Sequence, residues 1–334
     1  MIKIRRLLKW EAALVIFLLA EIFVFGQISP GFNNPSNLLY SINDFAYIAL
    51  AAIPMTFVII TGGIDVSVGS IMGLSSIIMG VFWMGGMNIW LAMIITLLAA
   101  VSAGCINGWI VANTTVQPLV VTLGGMFLFS GIALVISGGA SASGYEGISG
   151  FPEPFVEIAN GQLLGIPNSI WIILASLCFF GGLLHMTRYG RSVFLVGMNI
   201  KAARFSGIHT KWTVMSTYML SALGGGISGI ILTSYFSSAR SDLGADAVLP
   251  VITAVVLGGT SIFGGRGSIA GTAIASIVIG IMQYGLQMAS MTSQQTSVVI
   301  GAMLIVSVLI RNTDWPKIKK TIGTVIHKKK AHEV

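Results

Sequence analysis

The run IWLAMIITLLAAVSAGCINGWIV, residues 89–111, has no charged side chain. It is long enough to cross the hydrocarbon of a bilayer, which takes about 20 apolar residues in a helix. Nine further runs read the same way, near 12–28, 45–61, 66–84, 118–138, 168–186, 212–235, 247–262, 268–289 and 296–311. The runs near 66–84 and 247–262 are interrupted by glycine and lie close to a neighbouring run. Of the 334 residues 55% are hydrophobic and only 9% are charged, against about 25% charged in ordinary soluble domains. Mean hydropathy is +0.90. The expected fold class is therefore all-α: a polytopic transmembrane helical bundle of about ten spans, forming one membrane domain over residues 1–334.

Orientation follows from the basic residues, which accumulate in cytoplasmic loops. With both termini inside, 17 of the 18 Lys and Arg fall on one side of the membrane. They lie in a cytoplasmic N-terminus at 1–10, a cytoplasmic loop at 187–211, Arg266, Arg311, and a basic cytoplasmic tail at 312–334. Arg240 alone lies on the other side, accompanied by Asp242 and Asp246, and the outer loop at 139–167 holds Glu146, Glu153 and Glu157 without a Lys or Arg. The net charge of +7 thus points to lipid headgroups rather than nucleic acid. Lys3, Arg5, Arg6 and Lys9 precede the first apolar run without a clean small-residue cleavage site, so it reads as a retained span. Cys105 and Cys178, inside apolar runs with no CxxC partner, read as small fillers.

Glycine occupies 41 positions, and four pairs have the spacing that lets helices approach closely in lipid: Gly69 with Gly73, Gly104 with Gly108, Gly225 with Gly229, and Gly267 with Gly271. Helix contact and the chance yield of a glycine-rich chain both account for them. The stretch TGGIDVSVGS at 61–70 has two readings: an unwound helix beside a solute path, as in transporters, or a glycine-rich turn with Asp65 capping the next helix. The stretch VLGGTSIFGGRGSIAG at 256–271 echoes it through Gly-Ser-Ile-x-Gly, a weak sign of internal repetition. TRYGRSVFLVGMNIKAARFSGIHTKWT at 187–213 allows a short surface helix over 199–205, bounded by Gly197 and Gly207. Lys201, Ala202, Ala203 and Arg204 on that helix suit either a soluble partner subunit or an anionic lipid surface.

Glu21 sits inside the first span, where an ionised carboxylate is costly; it faces a polar interior or carries protons. His185, His209, His327 and His332 have no metal-binding spacing, no hydrolytic triad can be assembled, and there is no GxxxxGK[ST] loop. No metal, no catalytic residue and no ATP hydrolysis are expected on this chain.

TGGIDVSVGS at 61–70, GMNIKAARFSGI at 197–208 and AVVLGGTSIFGGRGSIAGT at 254–272 resemble, in order and spacing, the ribose-type permeases of bacterial ABC importers, a group that includes branched-chain amino-acid permeases. SGYEGISGFP at 143–152 and SYFSSARSDLGADAVLPVITAVVLGG at 234–259 are more similar to the autoinducer-2 import branch. Ribose-type members usually carry an acidic residue and Leu where this chain has Leu249 and Pro250. The resemblance implies an inner-membrane permease paired with a sibling permease. ATPase subunits on the inside would bind ATP and Mg, and an extracytoplasmic solute-binding protein would deliver the cargo.

The resemblance also makes Gly197, Asn199, Ala202, Ala203, Arg204, Ser206, Gly207 and Ile208 the ATPase-coupling loop. A neutral polyol needs hydrogen bonds and no counter-ion, so Thr61, Ser67, Ser70 and Thr253 are the expected path residues, with Asp65 of the TGGIDVSVGS turn beside them. A pentose permease and a proton-coupled secondary transporter using Glu21 are the alternatives.

Overall fold

The structure, a computed structural model, describes residues 2–138 and 147–312. The basic tail beyond Asn312 and the part of the outer loop containing Glu146 lie outside these residues. In chain order the helices are α1 (Ile2–Ile28), α2 (Pro35–Tyr40), α3 (Ile42–Ile60), α4 (Val68–Met84), α5 (Ile89–Asn113), α6 (Pro118–Ile136), α7 (Glu153–Asn160), α8 (Asn168–Met186), α9 (Arg188–Met198), α10 (Ile200–Phe205), α11 (Thr210–Phe236), α12 (Val248–Leu257), α13 (Ile269–Met288) and α14 (Ser293–Asn312). Among the described residues seven segments are long and apolar enough to cross a membrane: α1 from Trp10, α2 with α3, α5, α6, α8, α11 and α13. α4, α12 and the Ser293–Leu309 part of α14 are apolar but shorter.

Local chemistry sets the helix ends. Asn88 caps α5 by accepting from the backbone N–H groups of Trp90 and Leu91, and Ser268 caps α13 through the N–H of Gly271 at 3.1 Å; such caps satisfy donors that the helix itself leaves unpaired. Pro118 opens α6, a position where its missing N–H costs nothing. The loop expected over 139–167 contains the amphipathic α7, whose Phe155 and Ala159 are fully buried and whose Phe155 carbonyl accepts from Ser234 Oγ of α11 at 2.7 Å. It also holds a departure from an all-helical fold, a two-stranded hairpin pairing Gln162–Leu163 with Ile166–Pro167. Its turn residues Leu164 and Gly165 both have positive φ, 55° and 76°, as a two-residue hairpin turn requires.

α11 is the axis of the bundle and packs against α3, α4 and α5. Small residues make that approach possible. A Cβ on Gly104 of α5 would lie 2.5 Å from the Tyr218 carbonyl oxygen of α11, and one on Gly229 of α11 would lie 2.4 Å from the Met72 carbonyl oxygen of α4. All four Gly-x-x-x-Gly pairs sit against another segment in this way, so the spacing is used for contact. Gly224 of α11 likewise leaves room for the ring of Pro54, which lies inside α3. Large side chains such as Phe23, Ile94, Phe127 and Val135 remain exposed on the outer helices, as expected of a surface that faces lipid.

The segment expected to span 247–262 is helical only over ten residues, α12, or about 15 Å at 1.5 Å per residue. Before it, residues 237–247 form no helix and run antiparallel down α4. Gly80 faces Ala239, Gly73 faces Ser241, and Gly69 faces Gly244 and Val248; the Arg240 N–H donates to Ser76 Oγ at 3.0 Å. Gly258 and Gly259 end α12, the latter at φ 107°, a conformation that only glycine adopts readily. α12 is thus a half-helix preceded by a chain of turns, an arrangement related to the discontinuous helices of transporters.

Candidate functional site

Lys and Arg gather at the end of the bundle where α3 stops and α9 and α10 stand; this is the basic end. Three glycine-containing stretches far apart in sequence meet there. The carbonyl oxygen of Ile60, the last residue of α3, accepts from the N–H of Gly265 at 2.8 Å. A Cβ on Gly197 would lie 1.8 Å from the same oxygen and 2.7 Å from the Gly265 nitrogen. Gly264 and Gly265 reach the junction with φ of 83° and 73°. Residues 61–70, 197–208 and 256–271 are thereby joined around one backbone oxygen, and only a backbone without side chains fits between them.

Gly197 lies at the end of α9, and α10 follows after a single residue. Asn199 makes this sharp change of direction, accepting from the N–H groups of Lys201 and Ala202 at 3.0 Å each. Gly207 closes α10 at φ 80°. Tyr189 of α9 bonds Ser216 of α11 at 2.8 Å; burial pushes its phenol up to about 12, so it stays a neutral tether.

On α10 Ala203 is buried, whereas Ala202, Arg204, Ser206 and Gly207 are exposed and Ile208 is half-buried. Phe205 is 94% exposed. Sequence reasoning passed over this residue, although an aromatic side chain on the charged face of a short helix is the signal of a contact surface. Beside α10 a recess of about 720 Å³ is lined by Thr61, Gly62, Gly63, Lys201, Arg204, Lys211 and Tyr218 among others.

TGGIDVSVGS climbs from this junction into the bundle. Asp65 is fully buried at its centre. Its Oδ1 accepts from the Ser67 N–H at 3.0 Å and from Ser67 Oγ at 2.6 Å, and its Oδ2 accepts from Ser221 Oγ of α11 at 2.8 Å. Asn107 of α5 adds a bond to Ser67 Oγ at 2.9 Å. Thr122 of α6 donates to the Ile64 carbonyl at 3.0 Å and accepts from the Val66 N–H at 3.3 Å. The turn is therefore tied to three helices, which satisfies its polar groups where water is excluded. Asp65 does not cap α4 in the ordinary way, since Ser67 occupies the N-cap position.

The expected path residues divide accordingly. Thr61 reaches the recess at the basic end. Asp65, Ser67 and Ser70 are buried, with Ser70 Oγ bonded to the Ser67 carbonyl at 2.7 Å. Thr253, on α12, is buried and bonded to the Leu249 carbonyl at 2.7 Å. Glu21 is turned inward from α1 at 5% exposure, and among the described residues neither of its carboxylate oxygens has a hydrogen-bond partner.

Residues 37–308 match the family described as branched-chain amino acid transport system / permease component. The chain belongs to this permease family. It is also similar to curated relatives over most of its length. One is the autoinducer 2 import system permease protein LsrD of Salmonella paratyphi B, 47% identical over 303 residues, which cover 91% of each chain. The protein of that name from Salmonella typhimurium LT2 gives the same figures. That of Escherichia coli K12 is 46% identical over 91% of this chain and 92% of the relative. As a permease with seven helices able to cross a membrane, the chain is a multi-pass inner-membrane protein and a transport subunit rather than an enzyme.

Proposed function

We propose that this permease is the transmembrane subunit of an ABC importer that carries autoinducer-2, a small furanose-like signal, across the bacterial inner membrane. The observation that carries the coupling half of this reading is the junction at Ile60. The exposed α10 is anchored through Gly197 to the ends of both glycine-rich stretches, so a push on α10 is delivered to the backbone at Thr61 and at Gly265 together. The cargo half rests on the similarity to LsrD over 91% of the chain.

In this reading the basic end is cytoplasmic, both termini lie there, and ten segments sit in the membrane: the seven long helices with α4, α12 and α14. Residues 187–211 are the coupling loop, in which Gly197, Asn199, Ala202, Ala203, Arg204, Ser206, Gly207 and Ile208 shape and present the contact and Phe205 adds an apolar knob. The loop docks against the ATPase subunits on the inside, which bind ATP and Mg. A sibling permease of the LsrC kind completes the membrane part, and a solute-binding protein delivers cargo at the opposite end. Thr61 faces the path's inner mouth, while Asp65, Ser67, Ser70 and Thr253 form its wall by holding TGGIDVSVGS and α12 in place. ATP binding then biases two arrangements of the paired permeases.

Reconstitution of the chain with its sibling, ATPase and binding protein tests this. ATP-dependent uptake of autoinducer-2 in preference to ribose is expected. Preference for ribose would make it a pentose permease, and uptake that persists without the ATPase but collapses with the proton gradient would make it a secondary transporter.

A further inference from the structure

At the end of the bundle opposite α10 a cavity of about 460 Å³ lies between the start of α3, the half-helix α12, the end of α13 and the start of α14. This is a volume suited to a small molecule. Its polar lining includes Asp44, Tyr47, Asp246, Gln283, Gln287 and Thr296. Gln283 and Gln287 are four residues apart on α13, so they share one face of the helix. Thr296 is 4% exposed, and its hydroxyl has no hydrogen-bond partner among the described residues. A buried hydroxyl left without a partner is costly, which marks a place for a ligand's polar group.

Leu249, Pro250 and Ile252 supply an apolar wall, and no Lys or Arg lines the cavity. Carboxylates and amides accept from hydroxyl donors, amides and the Thr hydroxyl also donate, and the apolar wall suits the C–H face of a ring. An anion would meet Asp44 and Asp246 with nothing to balance it.

We infer that this cavity is the outer solute-binding station of the permease and takes a neutral polyhydroxylated ring of pentose or furanose size. The inference rests on the transport reading above and adds its site. It also gives a physical setting to the departure from the ribose-type pattern, because Leu249 and Pro250 stand in the cavity wall.

The test uses the fully assembled importer carrying Asp246→Asn, Gln283→Leu or Thr296→Val, each checked for membrane insertion and for copurification with its partner chains. Loss of one hydrogen bond to the cargo is expected to raise the half-saturating autoinducer-2 concentration about tenfold. In a background lacking Cys105 and Cys178, Gln283→Cys should react with an impermeant thiol reagent added from outside, and saturating autoinducer-2 should slow that reaction. Normal half-saturation in all three assembled variants would overturn the inference, as would protection by sodium ions but not by autoinducer-2. If the unaltered importer carries no autoinducer-2 or ribose at all, the transport reading itself fails, and with it this one.

Discussion

The N–H of Gly265 donates to the carbonyl oxygen of Ile60 at 2.8 Å, and Gly197 closes on the same oxygen so tightly that it has no room for a methyl group. A junction made of backbone alone is indifferent to side-chain chemistry and intolerant of volume. Gly197→Ala is therefore expected to destabilise the permease by about 1–3 kcal/mol and to abolish uptake. Gly182→Ala and Gly301→Ala, where an added Cβ meets nothing within 4 Å, should be silent. Melting temperature in detergent and uptake, measured on the three variants together, check this.

Asp65 receives hydrogen bonds from one backbone N–H and two hydroxyls. Asp65→Ala leaves buried donors on Ser67 and Ser221 without their acceptor, at about 1–3 kcal/mol for each group, so a low yield of assembled protein is expected. Asp65→Asn keeps one acceptor oxygen and should fall between Asp65→Ala and the unaltered protein. Retained transport in Asp65→Asn, at reduced stability, would agree with a role in holding the turn; normal stability with lost uptake would place Asp65 against the cargo instead.

Asn199 is the cap of a helix only six residues long. Its replacement by Ala should cost about 1 kcal/mol, which so short a helix cannot absorb. Solute-stimulated ATP turnover should drop while membrane insertion is unchanged. Phe205→Asp, at a position 94% exposed, should leave the fold intact and weaken ATPase copurification; full retention of the ATPase would remove Phe205 from the contact.

Glu21 is buried without a partner among the described residues. Glu21→Gln keeps its shape and removes any charge that lipid surroundings penalise. Uptake within about twofold of the unaltered protein is expected. Loss of uptake in this variant, together with sensitivity of the unaltered importer to a proton ionophore, would identify Glu21 as a proton carrier.

Much of the architecture was legible because lipid imposes a simple rule: a segment such as 89–111, free of charge and long enough, has few alternatives to a spanning helix. The rule fails where the backbone is satisfied by a neighbour instead of by its own helix. The segment between the runs at 212–235 and 247–262 read as an outer loop carrying Arg240, Asp242 and Asp246; the spacing of Gly69 and Gly73 marked a close contact on α4, but nothing local shows that this segment is what lies against them and Gly80.

The short helix after Asn199 was readable from its bounding glycines, but its attachment to Ile60 was not, since contacts across 137 or more residues leave no mark in local spacing. The polar cavity had a visible sign that went unused, namely Gln283 and Gln287 one helical turn apart within an otherwise apolar run.

α11 is 27 residues long, about 40 Å as a helix. Near its middle Ser221 holds Asp65, and close to its far end the Tyr235 hydroxyl donates to Asp44 at the wall of the polar cavity. A stiff rod fastened at two heights cannot lean without disturbing one of its fastenings. The cargo pocket and the buried turn therefore share a single lever, and a change of tilt at one is reported mechanically at the other.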